Sequence, residues 1–386
     1  MKNNNLMSNF KINLNPYNKG ITLVALVITI VILLILAGIS ISALTNTGIF
    51  QKAQDAKGKS ENAEKQQSEL LDSYEKELYK YTSEELTTAN ANVVLSKTEN
   101  VELHDANGYK IVVPAGFKVV VNDDTNNAMT VDKGIVIEDA TSAATAGSQF
   151  VWIPVETITK ADGTTVKINL DRYTFDENGI PTAQGESAIA SRYSETASKG
   201  NTVAKSITNF KKSVTTNGGY YIGRYEARTT TARNSKDDTL TQITEKGTDQ
   251  VYNYVTQIQA ASQAQNMYDN THPFTSDLMN SYAWDTATLF LQSCGTSGTT
   301  NNKYSRKNSL NKSLSQTGTT ADKQCNVFDM ASNVREWTTE TYRSSSYACV
   351  CRGGISGYST NYTSIRYRNG LSYSYDSIGF RTLLYL

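Results

Sequence analysis

The stretch from Ile21 to Phe50, ITLVALVITIVILLILAGISISALTNTGIF, carries no charged side chain. Its apolar core from Leu23 to Leu44 has the length of a helix that crosses a bilayer, roughly 20 residues. It is longer than the roughly 7–15-residue apolar region of a cleaved secretory signal. Lys2, Lys11 and Lys19 precede it, and the first acidic residue is Asp55. By the positive-inside rule the N-terminus is expected in the cytoplasm and everything after the span outside. A plain single-span anchor satisfies these facts as well as a more specialised segment does.

Beyond Gly48 the pattern changes. FQKAQDAKGKSENAEKQQSELLDSYEKELYKYT is rich in Lys, Glu, Gln and Ala, all good helix formers. Leu70, Tyr74, Leu78 and Tyr81 recur at helical spacing and form one narrow apolar stripe. Residues 49–85 are therefore expected to form a polar helical stalk that continues the span outward. From Asn92 the signals become strand-like. KIVV and FKVVV flank Pro114-Ala115-Gly116 and predict a hairpin. Residues 92–148 read as a small β-rich segment. His104 precedes Asp105-Ala106-Asn107-Gly108, which predicts a surface turn. Residues 156–215 are polar and weakly periodic, so long loops around short elements are expected.

Composition narrows the chemistry. The 37 basic and 37 acidic residues balance, so the charge footprint of a nucleic-acid binder is missing. Only His104 and His272 are present, which excludes a site built on three histidines. Cys294, Cys325, Cys349 and Cys351 can pair in three ways, and spacing does not choose among them. No Gly-x-Ser-x-Gly, Gly-Lys-Ser/Thr loop or His-Glu-x-x-His occurs.

At the start of the apolar stretch, Lys19-Gly20 followed by ITLVA resembles the processing site of type IV pilins and type II secretion pseudopilins. The resemblance implies that residues 1–20 are a leader and that a prepilin peptidase cuts after Gly20. It further implies that Ile21 becomes the methylated N-terminus, and that the 21–48 helix can enter a filament beside other pilins. Where that family carries a glutamate five residues after the cut, this chain has Ala25. A minor pilin, a tip subunit and a retained membrane protein are all compatible with that departure.

In the second half, QFVWIPV (Gln149–Val155) and GGYYIGRYEAR (Gly218–Arg228) read as strands, and QVYNYVTQIQAASQAQNMYD and SDLMNSYAWDTATLFLQSC as helices. CNVFDMASNVREWTTETY, CRGGISGY and SIGFRTLLYL follow in that order. Together these stretches resemble the formylglycine-generating sulfatase-modifying enzymes and their non-catalytic relatives, over residues 149–386. The resemblance implies an α+β, C-type-lectin-like domain. Trp337 is expected to plug the core with its N–H paired. Gly353, Gly354 and Gly379 mark tight backbone positions. Arg352 and Arg381 are expected in buried pairs, with Glu336 a candidate partner. The resemblance also implies a structural calcium near Asn333 and Glu336, helped by backbone carbonyls; a hydrogen-bonded turn is the alternative.

The oxidase chemistry of that family needs two cysteines after the Gly-Gly pair to hold copper as thiolates. Those positions fall on Tyr358 and Thr363. Cys349 and Cys351 precede the glycines and read as a disulfide half or as buried small residues. A related branch holds iron with histidines, of which this chain has too few. A non-enzyme is expected.

Residues 342–378 instead hold seven of the 23 tyrosines and nine serines. Antibody paratopes use the same mixture, with Tyr as a rigid amphipathic contact and Ser, Gly and Asn as adaptable hydrogen-bonding residues. Tyr358, Asn361, Tyr362, Tyr367, Tyr373 and Tyr375 are the candidate ligand-binding residues; packing of these tyrosines on their own domain is the alternative. The position and composition of the stretch also resemble the variable proteins of diversity-generating retroelements, in which adenine mutagenesis of AAY codons yields Tyr, Ser, Asn, Thr, Asp and Ile. The expected protein is a membrane-anchored or filament-borne adhesin of a bacterium that binds a protein or glycan. An extracellular oxidase and a structural minor pilin are the alternatives.

Overall fold

The computed structural model describes residues 29–31, 56–67, 70, 84–140, 144–185, 193–195, 204–295, 303–307, 313–343, 346–358 and 360–386. The leader 1–20 and nearly all of the apolar stretch 21–48 lie outside the described residues, as does much of the expected stalk. Among the described residues no helix is long and apolar enough to cross a membrane. Residues 56–67 are helical and largely exposed, with Lys57 and Glu61 paired one turn apart at 3.7 Å. The chain divides into two units, Met1–Tyr74 and Glu75–Leu386, and the second carries everything below.

Among the described residues, eleven strands of this unit build two main sheets. They are β1 (Phe117–Val120), β2 (Val136–Asp139), β3 (Gln149–Pro154), β4 (Tyr193–Ser194), β5 (Gly219–Gly223), β6 (Thr275–Leu278), β7 (Arg335–Tyr342), β8 (Cys349–Arg352), β9 (Tyr367–Asn369), β10 (Ile378–Gly379) and β11 (Thr382–Tyr385). The first sheet is antiparallel with the order β6-β11-β5-β3-β2-β1. Its central strands β3 and β5 are buried along nearly their whole length, which matches unbroken apolar runs rather than alternation. The second sheet runs β4-β7-β8-β9, with β10 pairing in parallel on the other side of β7.

Three helices cover these sheets. α1 (Ile207–Asn217) starts where the Ser206 side chain accepts from the Asn209 amide at 3.1 Å. It lays Phe210 edge-on against Tyr220 and Tyr385, with ring centroids 5.3 and 5.5 Å apart. α2 (Gln257–Gln265) opens with a Thr256/Gln259 capping box. α3 (Ser281–Cys294) is capped by Asn280, whose side chain accepts from Ala283 at 2.9 Å. It is buried nearly all round because it touches both β3 and β7.

Several sequence expectations meet corrections here. Pro114-Ala115-Gly116 does form a tight turn, with Phe117 N–H donating to Pro114 O at 3.0 Å and Gly116 at φ 83°. It does not close a hairpin. The strand before it, Lys110–Val113, pairs with Val101–His104, whereas β1 pairs with β2. The turn therefore passes the chain from one sheet to another. β2 pairs with β3 from Val136↔Val151 to Glu138↔Gln149, so the first sheet takes strands from both sides of residue 148. His104 is buried at the end of its strand, and only the residues after it form the turn. The helix expected over Ser276–Cys294 starts at Ser281, because Thr275–Leu278 is drawn into the first sheet by β11.

The motif positions behave as expected. Trp337 is fully buried, and its indole N–H donates to Val255 O at 2.8 Å. Arg381 grips Glu336 at 2.6 and 2.7 Å, and donates to Gly223 O and Phe328 O, both at 2.8 Å. Beside this pair Glu245 accepts from the Thr382 amide at 2.8 Å in a fully buried position. Burial pushes its carboxyl up to about 8. Desolvation similarly raises Asp105, Asp277 and Asp329, each to about 6. Between their ordinary values and these raised ones the folded state holds more protons than the unfolded state. Unfolding free energy should therefore fall as pH rises from about 4.5 toward 8. The Glu245→Gln variant should flatten the upper part of that decline, above pH 6, in denaturant titrations of the two proteins across pH.

Candidate ligand-binding face

The tyrosine-rich stretch leaves the second sheet at Gly353-Gly354 and returns at Gly379-Phe380-Arg381. The first pair is a backbone contact: a Cβ on Gly354 would lie 2.1 Å from Ala331 O, and Gly353 sits at φ 88°. Between these points the main chain is held by buried groups that mostly lie elsewhere in the sequence. Trp284 on α3 donates its indole N–H to Thr363 O at 2.9 Å. Arg352 on β8 donates to Ile365 O at 2.7 Å and Ser364 O at 3.2 Å. Near the far end, Asn253 donates to Asp376 O at 2.9 Å and the Tyr254 amide to Tyr375 O at 3.1 Å.

Beneath the stretch lies a cluster of five charges. Glu340 on β7 receives Arg172 at 3.0 Å, Arg366 at 3.0 Å and Arg352 at 3.5 Å. Asp285 on α3 receives Arg352 and Arg366 as well. Three guanidiniums thus meet two carboxylates at this point. Burial and the neighbouring Arg366 lower the Arg352 pKa from its usual value. The cluster ties a helix, two strands and the tyrosine-rich stretch together.

The six candidate ligand residues separate into two groups. Tyr358, Tyr375 and Tyr367 are 60, 55 and 40% exposed. Asn361 is buried and accepts from Arg335 at 3.3 Å. Tyr362 is half-buried with the Arg306 guanidinium 3.8 Å from its ring centre. Tyr373 is half-buried, its centroid 4.7 Å from Tyr375 and 6.3 Å from Trp337. Three residues thus present rings to solvent, and three are committed to their own domain. Sequence reading missed Tyr347, which is 59% exposed, and the arginines that stack on these rings. Arg335 lies 3.7 Å from the Tyr367 ring centre and Arg368 4.4 Å from that of Tyr342. Arg335 is visible in NVREW, but nothing local in that motif points to a ring 32 residues later.

Of the two positions where related oxidases keep cysteines, Tyr358 is on the surface and Thr363 is buried. The four cysteines are free and buried. Burial pushes the Cys294, Cys349 and Cys351 thiols up to about 12 and raises the Cys325 thiol as well, which disfavours the thiolate form. Asn333 donates to Glu226 at 2.5 Å and accepts from the Ser315 amide at 2.9 Å. Both carboxylate oxygens of Glu336 are taken by Arg381. The two residues expected to share a calcium are thereby turned to different protein partners. Among the described residues no group of three or more His, Cys, Asp or Glu side chains could hold a metal ion. The processing residues Gly20 and Ile21 lie outside the described residues.

Residues 247–385 match the family of the sulfatase-modifying factor enzyme 1-like domain, which the closing motifs resemble, and this region carries the C-type-lectin-like part of a mixed, β-rich α/β chain. The match begins later than residue 149, where the strand motifs start. No curated protein matches the sequence. Among solved structures the chain is similar to Treponema denticola variable protein 1, with 11% identity over 62% of this chain and 96% of that one at a TM-score of 0.35. It is also similar to the Major Tropism Determinant P3c variant, with 14% identity over 78% and 98% at 0.27, and to CarF, with 12% over 44% and 87% at 0.29.

The cluster makes a direct prediction. In the Glu340→Gln variant Arg352 and Arg366 retain Asp285 but Arg172 loses its carboxylate, which should cost about 3–5 kcal/mol of stability. Denaturant unfolding measures that loss, and hydrogen exchange should show faster opening around residues 363–366 than in β3.

Proposed function

We propose that this chain is a surface-displayed binding protein whose ligand meets the solvent-facing rings of residues 356–377. One observation carries the reading: the backbone of this stretch is held by buried groups outside it, while Tyr358, Tyr367 and Tyr375 face solvent. A scaffold of this kind lets contact residues vary without redirecting the chain. Tyr362, Tyr373 and Asn361 then act by positioning the exposed rings. The chain is read as a non-enzyme, since its buried thiols are held protonated and the two positions where related oxidases keep cysteines carry Tyr358 and Thr363.

In this reading the N-terminal segment is a pilin-like anchor. A prepilin peptidase cuts after Gly20, Ile21 becomes the N-terminus, and the apolar helix holds the domain at the outer face of a bacterial membrane or in a filament with other pilins. The ligand is a protein or glycan, and any calcium is structural. The tyrosine-rich stretch is diversified by a retroelement. That last element requires a near-copy of the DNA encoding residues 350–380, differing at adenines, beside a reverse-transcriptase gene; a genome lacking both would remove it.

Replacing Tyr358, Tyr367 and Tyr375 by Ala should weaken any ligand captured from peptide or glycan arrays at least about tenfold, or 1.4 kcal/mol. Their melting temperatures should stay within a few degrees of the parent, because the removed rings are exposed. Unchanged binding by all three variants would favour a purely structural role for the domain.

A further inference from the structure

Arg335 is 7% exposed, yet among the described residues no carboxylate pairs with it. Among the described residues the other deeply buried arginines have a carboxylate or a full set of carbonyls, although the Arg172 Nε, like that of Arg335, has no acceptor. Arg172, Arg224, Arg352 and Arg381 each meet an acidic side chain, as does Arg366. Arg233 donates to the carbonyls of Ser235, Asp238, Thr239, Asn253 and Tyr254. Arg335 makes one side-chain hydrogen bond, to Asn361 at 3.3 Å, and its buried Nε has no acceptor. A desolvated guanidinium without a counter-ion is costly, and such groups are ordinarily paired.

The place of this cation matters. Tyr367, one of the exposed rings, stands 3.7 Å from the guanidinium. Burial raises the Tyr373 hydroxyl, and the positive charge of Arg335 opposes that shift. The surrounding stretch is short of anions. Residues 342–378 contain Arg343, Arg352, Arg366 and Arg368 against the single acidic residue Asp376. Arg343 and Arg368 are exposed.

We propose that Arg335 is the anion seat of the tyrosine face, and that it receives an aspartate or glutamate side chain of a protein partner beside the Tyr367 ring. This deepens the reading of the face as a binding surface and rests on it. Tyr and Arg are the side chains enriched at protein–protein contacts, and the Arg fork is suited to a carboxylate. A partner carboxylate supplies the counter-ion that the fold withholds, so charge complementarity selects acidic surfaces and the exposed rings supply contact area.

The test uses the full chain in detergent, with a displayed library of random dodecapeptides and heparin as separate probes. Selected peptides should be enriched in Asp or Glu. Exchange of that residue for Asn or Gln in the peptide should weaken binding at least about tenfold, as should Arg335→Met in the protein. Binding should also weaken as salt is raised. The Arg335→Met protein should melt at the parent temperature or above it, since an unpaired buried charge is removed. If that variant fails to fold, the anion seat is overturned as a ligand device and Arg335 is structural; the peptide exchange gives an independent reading of the acidic requirement. Peptides without acidic enrichment, or acidic ones held equally well by Arg335→Met, overturn the proposal. If those peptides are still lost from the Tyr358, Tyr367 and Tyr375 variants, the face remains a binding surface. If they are not, that reading fails too. Heparin binding without any selected peptide overturns the assignment to a protein partner.

Discussion

Two buried carboxylates, Asp285 and Glu340, organise the end of this chain. They draw three guanidiniums into one cluster and so join α3, β7 and β8 to Arg172 on one side and Arg366 on the other. A cluster of this kind is weak ground for claiming net stability, because desolvation offsets much of the attraction. Its value is geometric. A planar fork meets a carboxylate in few orientations, and Arg352 uses its remaining N–H groups on the Ser364 and Ile365 carbonyls. The course of an irregular segment is thereby set by groups that do not belong to it.

Much of the scaffold was legible from short motifs. Trp337, Glu336, Arg381 and the Gly353-Gly354 pair each carry a local chemical requirement: a large ring needs a core, a buried arginine needs a carboxylate, and two touching backbones need glycine. The strands at 149–154 and 219–223 were readable because their apolar runs are unbroken. Failures came where one local signal fits two long-range outcomes. Pro114-Ala115-Gly116 makes the same turn whether its flanking strands pair with each other or enter different sheets. Pairing partners such as Val136↔Val151 were invisible because register is decided across strands. Asp285 and Arg352, 67 positions apart, carry no mark of their partnership.

The face itself was legible in composition and not in orientation. Tyrosine and serine enrichment located the stretch, but six candidates became three outward rings and three packed groups. Regular alternation would have sorted them in a strand. Here β9 covers only Tyr367–Asn369, and the rest is irregular. Which side chain turns outward is then decided by contacts from elsewhere, such as Arg306 over Tyr362 or Trp337 beneath Tyr373.

That unevenness bears on how freely such a stretch could vary. Asn361, Thr363, Ser364 and Asn369 are buried, and Arg366 belongs to the charge cluster. Changes at these positions would disturb the scaffold, whereas Tyr358, Thr360, Tyr367, Arg368, Leu371, Ser372 and Tyr375 are exposed and carry little of it. Variation confined to the second group would alter contacts around a cation that stays in place, since Arg335 lies on β7 outside the stretch. On the proposed reading, a face built this way would keep one electrostatic preference and change its shape around it. The fixed charge would then set what class of surface is admitted, and the exposed rings which member of that class fits.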